Sequence, residues 1–276
     1  MCIEIVSQYS VVIPVFNNFK IARECLTNVL KNTPSDIQIL VIDDASTEGF
    51  FSDYNIEVTN QLTIIRNESN LGFVEACNKA FELTIPSDVI LVNSDVMVTK
   101  NWSERLNEDA YRFDHIATVT AMADRGGIAS IKFGHKSLEG SDFAEIENLN
   151  EYLSSLESLP PAVIPVGVGH CLYIKRQVLS RIGYFSEEFS PGYGEEVDFS
   201  IRAANAGYIH TLSESVIVRH LEGLSFGSRR DELIARHEIL LRQKYPDFDN
   251  YLASYQENFK TVEEVFLRAI SWNHGI

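Results

Sequence analysis

Val89-Ile90-Leu91-Val92-Asn93-Ser94-Asp95 is an apolar run that stops abruptly in an amide, a hydroxyl and a carboxylate. A buried strand with this ending delivers its polar residues to one edge of a sheet, and open α/β sheets bind ligands beyond the carboxyl ends of their strands. The pattern occurs twice upstream, in Val11-Val12-Ile13-Pro14-Val15-Phe16-Asn17-Asn18 and in Ile39-Leu40-Val41-Ile42-Asp43-Asp44-Ala45-Ser46. Helical spacing fills the gaps. Ile21, Ala22, Cys25, Leu26, Val29 and Leu30 predict an amphipathic helix ending near Asn32-Thr33-Pro34. Leu62 to Ile65 predicts another strand and Asn70-Leu71-Gly72 a turn. Ala76, Cys77, Ala80 and Phe81 predict a second helix, which Pro86 stops. Such alternation implies a mostly parallel sheet with right-handed crossovers.

Beyond Asp95 the rhythm changes. Trp102 to Phe113 predicts a helix and Ile116 to Met122 a strand. Asp124 to Ser158 is polar, with a helix near Glu147 to Leu156, and reads as mobile or acceptor-facing. Val166 to Ile174 predicts a strand, Gln177 to Ile182 a short helix, Val197 to Ala206 a helix closed by Gly207, and Thr211 to Val218 a strand. The tail from Arg229 to Trp272 predicts two helices separated by Tyr245-Pro246-Asp247. Its apolar residues Leu252, Tyr255, Phe259, Val262, Phe266 and Ile270 either pack on the core, the expected outcome, or pair two subunits as a homodimer. The expected organisation is one domain over residues 1–228 and a helical extension, 229–276, packed on it. Within the domain, a nucleotide-binding part covers about 8–98 and an acceptor and base part about 99–228.

Composition narrows the partners. A chain of 276 residues with 45% hydrophobic content can bury a sizeable core. The net charge of −16 argues against nonspecific binding to nucleic acid or anionic lipid, both of which need basic patches. A polyanionic ligand would have to be held by a metal ion or by local backbone N–H groups. Cys2, Cys25, Cys77 and Cys171 form no metal-ligand spacing and read as reduced thiols of a cytoplasmic protein. No basic n-region opens the chain and no run approaches the ~18 apolar residues of a membrane span.

The polar strand ends carry the chemistry. Asn93-Ser94-Asp95 can hold a hard cation, Mn2+ or Mg2+, which takes one or two carboxylates plus substrate phosphate oxygens. It is equally a common turn composition. Asp43-Asp44 can accept an N–H from a nucleobase or bind a ribose hydroxyl, or can cap a helix. Phe16 can stack on a base or pack in the core. Gly72 supplies a positive φ or a close backbone approach. Glu195-Glu196-Val197-Asp198 places three acids in four residues at the start of a helix. Like charges this close repel unless one binds a partner or takes up a proton. They serve either as an acidic first turn or as the general base for an acceptor hydroxyl. His220, just after a strand, suits a metal or a diphosphate, or a structural role.

Taken in order, these residues resemble the family 2 inverting glycosyltransferases with a GT-A fold. The matching pieces are Val12 to Asn17, Ile42 to Ser46, Asn70-Leu71-Gly72-Phe73 with Asn78, and Asn93-Ser94-Asp95. They continue with Gly169 to Arg176, Ile182 to Phe185, Gly192 to Phe199, Arg202, Gly207-Tyr208 and His220 through Ser225-Phe226-Gly227. The resemblance covers about residues 10–230. It implies an α/β, Rossmann-like central sheet flanked by helices. It implies a UDP- or dTDP-sugar donor, a hydroxyl acceptor (a glycan or a lipid-linked glycan), and work in polysaccharide or glycoconjugate assembly, in the cytoplasm or peripherally at the inner membrane face.

Roles follow from the same resemblance. Pro14 and Phe16 border the base with Asn17 beside them, Asp44 contacts it, and Asp43, Asn70, Gly72, Asn78 and Asn93 complete the nucleotide-sugar pocket. Asp95 and His220 hold Mn2+ or Mg2+. Glu196 is the catalytic base, with Glu195 and Asp198 alongside. Two departures stand out. The family's Asp-x-Asp reads Asn93-Ser94-Asp95, and Glu stands where the base is commonly Asp. The first departure leaves a second reading open, a non-catalytic nucleotide-sugar-binding or scaffold relative. A nucleotidyltransferase is disfavoured, because Val11 to Lys20 contains no glycine and a single lysine.

Overall fold

The computed structural model describes residues 8–47, 60–125, 127–130, 132–133, 136–139, 141–221, 230–255 and 259–272. In chain order the first half comprises β1 (Tyr9–Val15), α1 (Phe19–Asn32), β2 (Gln38–Asp43), β3 (Leu62–Arg66), α2 (Phe73–Leu83), β4 (Asp88–Val92), β5 (Val96–Met97), α3 (Trp102–Ala110) and β6 (Ile116–Ala123). The second half comprises β7 (Lys132–Phe133), β8 (Lys136–Ser137), α4 (Phe143–Ser154), β9 (Ala162–Ile164), β10 (Cys171–Ile174), α5 (Arg176–Ile182), α6 (Glu195–Asn205), β11 (Ile209–His220), α7 (Arg230–Lys244), α8 (Phe248–Ser254) and α9 (Phe259–Trp272).

Among the described residues nine strands form the central sheet, in the order β3-β2-β1-β4-β10-β6-β11-β5 with β9 beside β11. β1 runs parallel to β2 and β4, and β2 to β3. β10 is antiparallel to both β4 and β6, so those two run alike, and β11 is parallel to β6. Hence β1, β2, β3, β4, β6 and β11 all end at one edge, and β10 begins there. That edge collects Phe16, Asp43-Asp44, Arg66-Asn67, Asn93 to Asp95, Asp124 and His220, together with Gly169-His170 entering β10. The mostly parallel sheet expected from the sequence is present.

Alternation along the strands builds a core on each face. Val11, Ile13 and Val15 of β1 meet Ala22, Cys25, Leu26 and Val29 of α1 and Trp102 and Leu106 of α3. Val12, Leu40 and Ile42 point the other way, onto Val74, Cys77 and Phe81 of α2 and Phe199 of α6. Because both faces are covered, these strands read as unbroken apolar runs. A third cluster joins Met122, Leu212 and Ile217 to Ile146, Leu149 and Leu153 of α4 and to Val262, Val265, Phe266, Ala269 and Ile270 of α9. Each large buried side chain contributes about 1.5–3 kcal/mol relative to exposure, so α9 is an integral part of this core.

Four sequence expectations need correcting. The stretch 124–158 is not loose throughout, since α4 lies against β11 and α9. α4 also begins earlier than expected, at a capping box in which Asp142 and Glu145 satisfy each other's backbone N–H groups. The strand expected over 166–174 is confined to Cys171–Ile174. The tail holds a third helix beyond the break at Pro246. The motif end Ser225-Phe226-Gly227, the junction at 228/229 and Cys2 lie outside the described residues.

Candidate functional site at the carboxyl edge of the sheet

The two acids ending β2 are buried and occupied. Asp43 Oδ1 accepts the Ser46 N–H at 2.9 Å, and its Oδ2 pairs with the Arg66 guanidinium. Asp44 Oδ1 accepts from Asn67 Nδ2 at 2.8 Å and from the Leu71 N–H at 2.9 Å, while Oδ2 accepts the Gly72 N–H at 2.8 Å. The Asp44 carboxylate therefore fixes the 70–72 turn. Gly72 sits there with φ 94°, and a Cβ on it would lie 2.8 Å from the Pro191 Cβ. The Phe73 N–H donates to the Pro191 carbonyl at 2.9 Å. This contact brings the segment leading into α6 against the end of β2. Asn17, at φ 55°, accepts from the Thr47 backbone and hydroxyl at 2.8 and 3.1 Å, and its own N–H donates to Ser46 Oγ. Pro14 is buried in β1 opposite Ile42, whereas Phe16 just beyond is 39% exposed. The Asn70 side chain is exposed.

The acidic start of α6 faces the entry to β10. Glu196 Oε1 accepts the Gly169 N–H at 2.7 Å. Burial pushes the Glu196 carboxyl up to about 7, against the lowering effects of the Gly169 N–H and of His220. Burial, and then the charge of Glu196, holds Glu195 well above the carboxylate range. Its Oε2 has no hydrogen-bond partner among the described residues. The buried Cys77 thiol is pushed up by burial and then by the charges of Glu195, Glu196 and Asp44.

From Gly169 the chain leads directly to the end of β4. The His170 carbonyl accepts the Asn93 N–H at 2.9 Å. The His170 ring stacks on His220 with centroids 5.4 Å apart, and His220 Nε2 lies 3.3 Å from Asp95 Oδ1. Burial, then the neighbouring His220, lowers His170 to about 3, so its ring is neutral. Asp44, Asp95 and Glu196 thus belong to one contiguous patch.

Two of the expected residues are tied into the scaffold. Asn78 donates to the Phe185 carbonyl at 2.9 Å and accepts the Phe185 N–H at 3.0 Å, so its amide acts as a strut instead of facing a ligand. Asp198, expected beside the base, accepts from Arg202 Nε at 2.7 Å, Tyr245 Oη at 2.6 Å and Lys244 Nζ at 2.9 Å. Burial alone would raise Asp198, but these donors hold it below the ordinary value. Gly169 and His170 were legible only as part of a motif without a role. Asp124, which accepts the His220 N–H at 2.7 Å, was missed. The signal was available, since Asp124 ends an apolar strand just as Asp43 and Asp95 do.

The donors near Asp95 fit a hard cation. Among the described residues no three His, Cys, Asp or Glu side chains gather into a complete cage. Asp95 and His220 are nonetheless adjacent, and the buried Asn93 Oδ1 has no hydrogen-bond partner among the described residues. One carboxylate, one imidazole and one amide oxygen suit an ion that completes its shell with water and phosphate oxygens.

Residues 10–183 match the model of the family described as Glycosyl transferase family 2. The chain belongs to that family. It is 30% identical over 107 residues to the glycosyltransferase GlyG of Streptococcus pneumoniae, covering 38% of this chain and 36% of GlyG. It is 23% identical over 216 residues to the glycosyltransferase AglE of Haloferax volcanii, covering 76% of this chain and 66% of AglE. The chain thus spans between about a third and two thirds of these relatives' lengths. Among solved structures, GalNAc-T7 with UDP, GalNAc and Mn2+ superposes with a TM-score of 0.65 at 17% identity, over 96% of this chain and 55% of that one. The mannosyltransferase PcManGT of Pyrobaculum calidifontis, with GDP-Man and Mn2+, gives 0.60 at 17% identity, over 95% and 72%. TarS of S. aureus, with UDP-GlcNAc, gives 0.55 at 19% identity, over 92% and 73%. These likenesses show a GT-A fold in this family 2 chain. Among the described residues no helix is long and apolar enough to cross a membrane.

Proposed function

We propose that the chain transfers a sugar from a UDP- or dTDP-sugar to a hydroxyl of a glycan or lipid-linked glycan, with inversion, in glycoconjugate or polysaccharide assembly. The observation that carries this reading is the Gly169–Glu196 hydrogen bond, which sets a carboxylate of pKa about 7 beside the Asp95–His220 pair. A base of that pKa is half ionised at neutral pH, where proton abstraction is most efficient.

In this reading Glu196 accepts the acceptor's hydroxyl proton as that oxygen forms its bond to the anomeric carbon. The bond from that carbon to the diphosphate breaks on the opposite side. Burial and the charge of Glu196 raise the Glu195 carboxyl well above the carboxylate range, which opposes a second charge in the pair. Asp95 and His220, with Asn93 beside them, would hold Mn2+ or Mg2+, which when bound neutralises the departing diphosphate. Pro14 and the exposed Phe16 border the base. Asp44 acts through the backbone it holds at Leu71 and Gly72, and Asn17 through the Ser46-Thr47 loop. Asn78 and Asp198 are positioning residues.

The experiment is a panel of UDP-, dTDP- and GDP-sugars incubated with the protein and glycan acceptors, with and without Mn2+. Nucleotide release is followed, and the anomeric configuration of the product is read by NMR. Release with an inverted linkage is expected. Donor binding without release would favour the non-catalytic reading, and a retained configuration would remove the single-displacement mechanism.

A further inference from the structure

We propose that α7 is a positioning device for the carboxylate pair, gripping the chain on both sides of Glu195-Glu196. The kinetic consequence rests on the reading of Glu196 as base; the structural claim does not.

The turn before the pair has an unfavourable backbone. Gly192, Tyr193 and Gly194 hold φ of 157°, 69° and 111°, and Tyr193 does so with a side chain, which costs free energy unless the surroundings enforce it. His237 of α7 supplies the enforcement. Its Nδ1 lies 2.6 Å from the Tyr193 carbonyl and 3.0 Å from the Gly192 carbonyl. Carbonyls only accept, so the hydrogen is on Nδ1 and is shared between them. The ring is 1% exposed, and Nε2 has no hydrogen-bond partner among the described residues. An aliphatic side chain would fill this space without leaving a buried polar atom alone. The presence of histidine is explained by what Nδ1 holds.

The grip continues around the turn. The Phe189 ring stands edge-on to His237, centroids 5.6 Å apart, with Lys244 Nζ 5.6 Å from its centroid on the same helix's side. A Cβ at Gly194 would lie 2.8 Å from Phe189 Cδ1 and 3.3 Å from the His237 Cβ, so the turn is seated directly on both side chains. Beyond the pair, Lys244 and Tyr245 at the end of α7 bind the buried Asp198 carboxylate. Arg202 shares that carboxylate and ties α6 to the Ile182 and Tyr184 carbonyls. One helix therefore fixes the chain at Gly192 and Tyr193, ahead of Glu196, and again at Asp198 beyond it. Both α7 and the pair lie outside the residues 10–183 that the family model matches. The tail is thereby assigned a task in the site as well as in the core.

The test uses the full chain with His237→Ala and His237→Asn, since an Asn amide can place its N–H where Nδ1 stands. Hydrogen–deuterium exchange over 191–198 is expected to quicken about tenfold or more in His237→Ala, with β1 to β4 unchanged, and to return near wild type in His237→Asn. With UDP-GlcNAc as probe, kcat for UDP release should fall about 10–100-fold, the range that small misplacements of catalytic groups produce, while donor KM stays within about twofold. Unchanged exchange over 191–198, or an increase shared by the whole sheet, would overturn the proposal. If the wild type releases nucleotide from no sugar of the donor panel above, the functional reading fails, yet the exchange result still decides this one. Should His237→Ala not fold, Tyr245→Phe removes only the hydroxyl on Asp198 and should loosen 195–198 alone; no change there would count against the grip.

Discussion

Glu196 Oε1 accepts the Gly169 N–H at 2.7 Å, and a Cβ at residue 169 would lie 2.0 Å from that same oxygen. A side chain at residue 169 would therefore displace the Glu196 carboxylate from the place it now holds. Gly169→Ala must expel the carboxylate. Its turnover should fall about 10²-fold, as expected for a displaced catalytic group, with thermal stability lowered by no more than a few degrees. Wild-type kcat in this variant would show that Glu196 need not sit where it does.

Glu196→Gln keeps the shape and the Gly169 hydrogen bond but removes proton affinity. Loss of a general base is worth about 10²–10⁴-fold. Steady-state kinetics should show kcat reduced on that scale with donor KM within about threefold. Full turnover would take the base role from Glu196.

Activity and stability should move in opposite directions with pH. The base works ionised, so kcat/KM rises with pH through about 7. Glu195 and Glu196 both have folded-state pKa values above their unfolded ones. Between the ordinary carboxylate pKa and about 7 the folded state binds more protons, and stability falls as pH rises. A carboxyl whose pKa differs tenfold in proton affinity between the folded and unfolded chain changes stability by ~1.4 kcal/mol across that window. Glu195→Gln should raise the Tm at pH 8 and leave it nearly unchanged at pH 5, by calorimetry. A variant less stable at pH 8 would mean that the pair is not strained by its charge.

Asp44 anchors the turn that carries Leu71 and Gly72. Asp44→Ala leaves three donors, on Asn67, Leu71 and Gly72, without their acceptor. With ~1–3 kcal/mol at stake per unsatisfied buried group, urea unfolding should show a loss of at least about 2 kcal/mol. A neutral result would show that the turn does not depend on Asp44.

The sheet was legible because its buried strands are continuous apolar runs ending in acids, and burial on both faces leaves no polar alternation to confuse the reading. Val89 to Val92 and Ile39 to Ile42 were clear for this reason. The start of α6 was also legible, since Glu195, Glu196 and Asp198 favour a helix start. What the sequence hid is partnership. Nothing local distinguishes Asp198, tied by Lys244 and Tyr245 from 46 and 47 residues away, from Glu196, held by one backbone N–H. Asn78 reads as a polar residue on a helix until Phe185 meets it. The α4 start was missed because its signal is the Asp142/Glu145 box and not apolar spacing. Asp124 was missed because its strand is followed by a long polar stretch, into which it blends.

The most direct test is a crystal structure with UDP and Mn2+ bound. The account expects Mn2+ bonded to an Asp95 carboxylate oxygen and to both phosphates, His220 at the ion or the diphosphate, uracil beside Pro14 and Phe16, and the Glu196 carboxylate facing the position of the missing sugar. Nucleotide bound away from this edge, or Mn2+ held without Asp95, would contradict it.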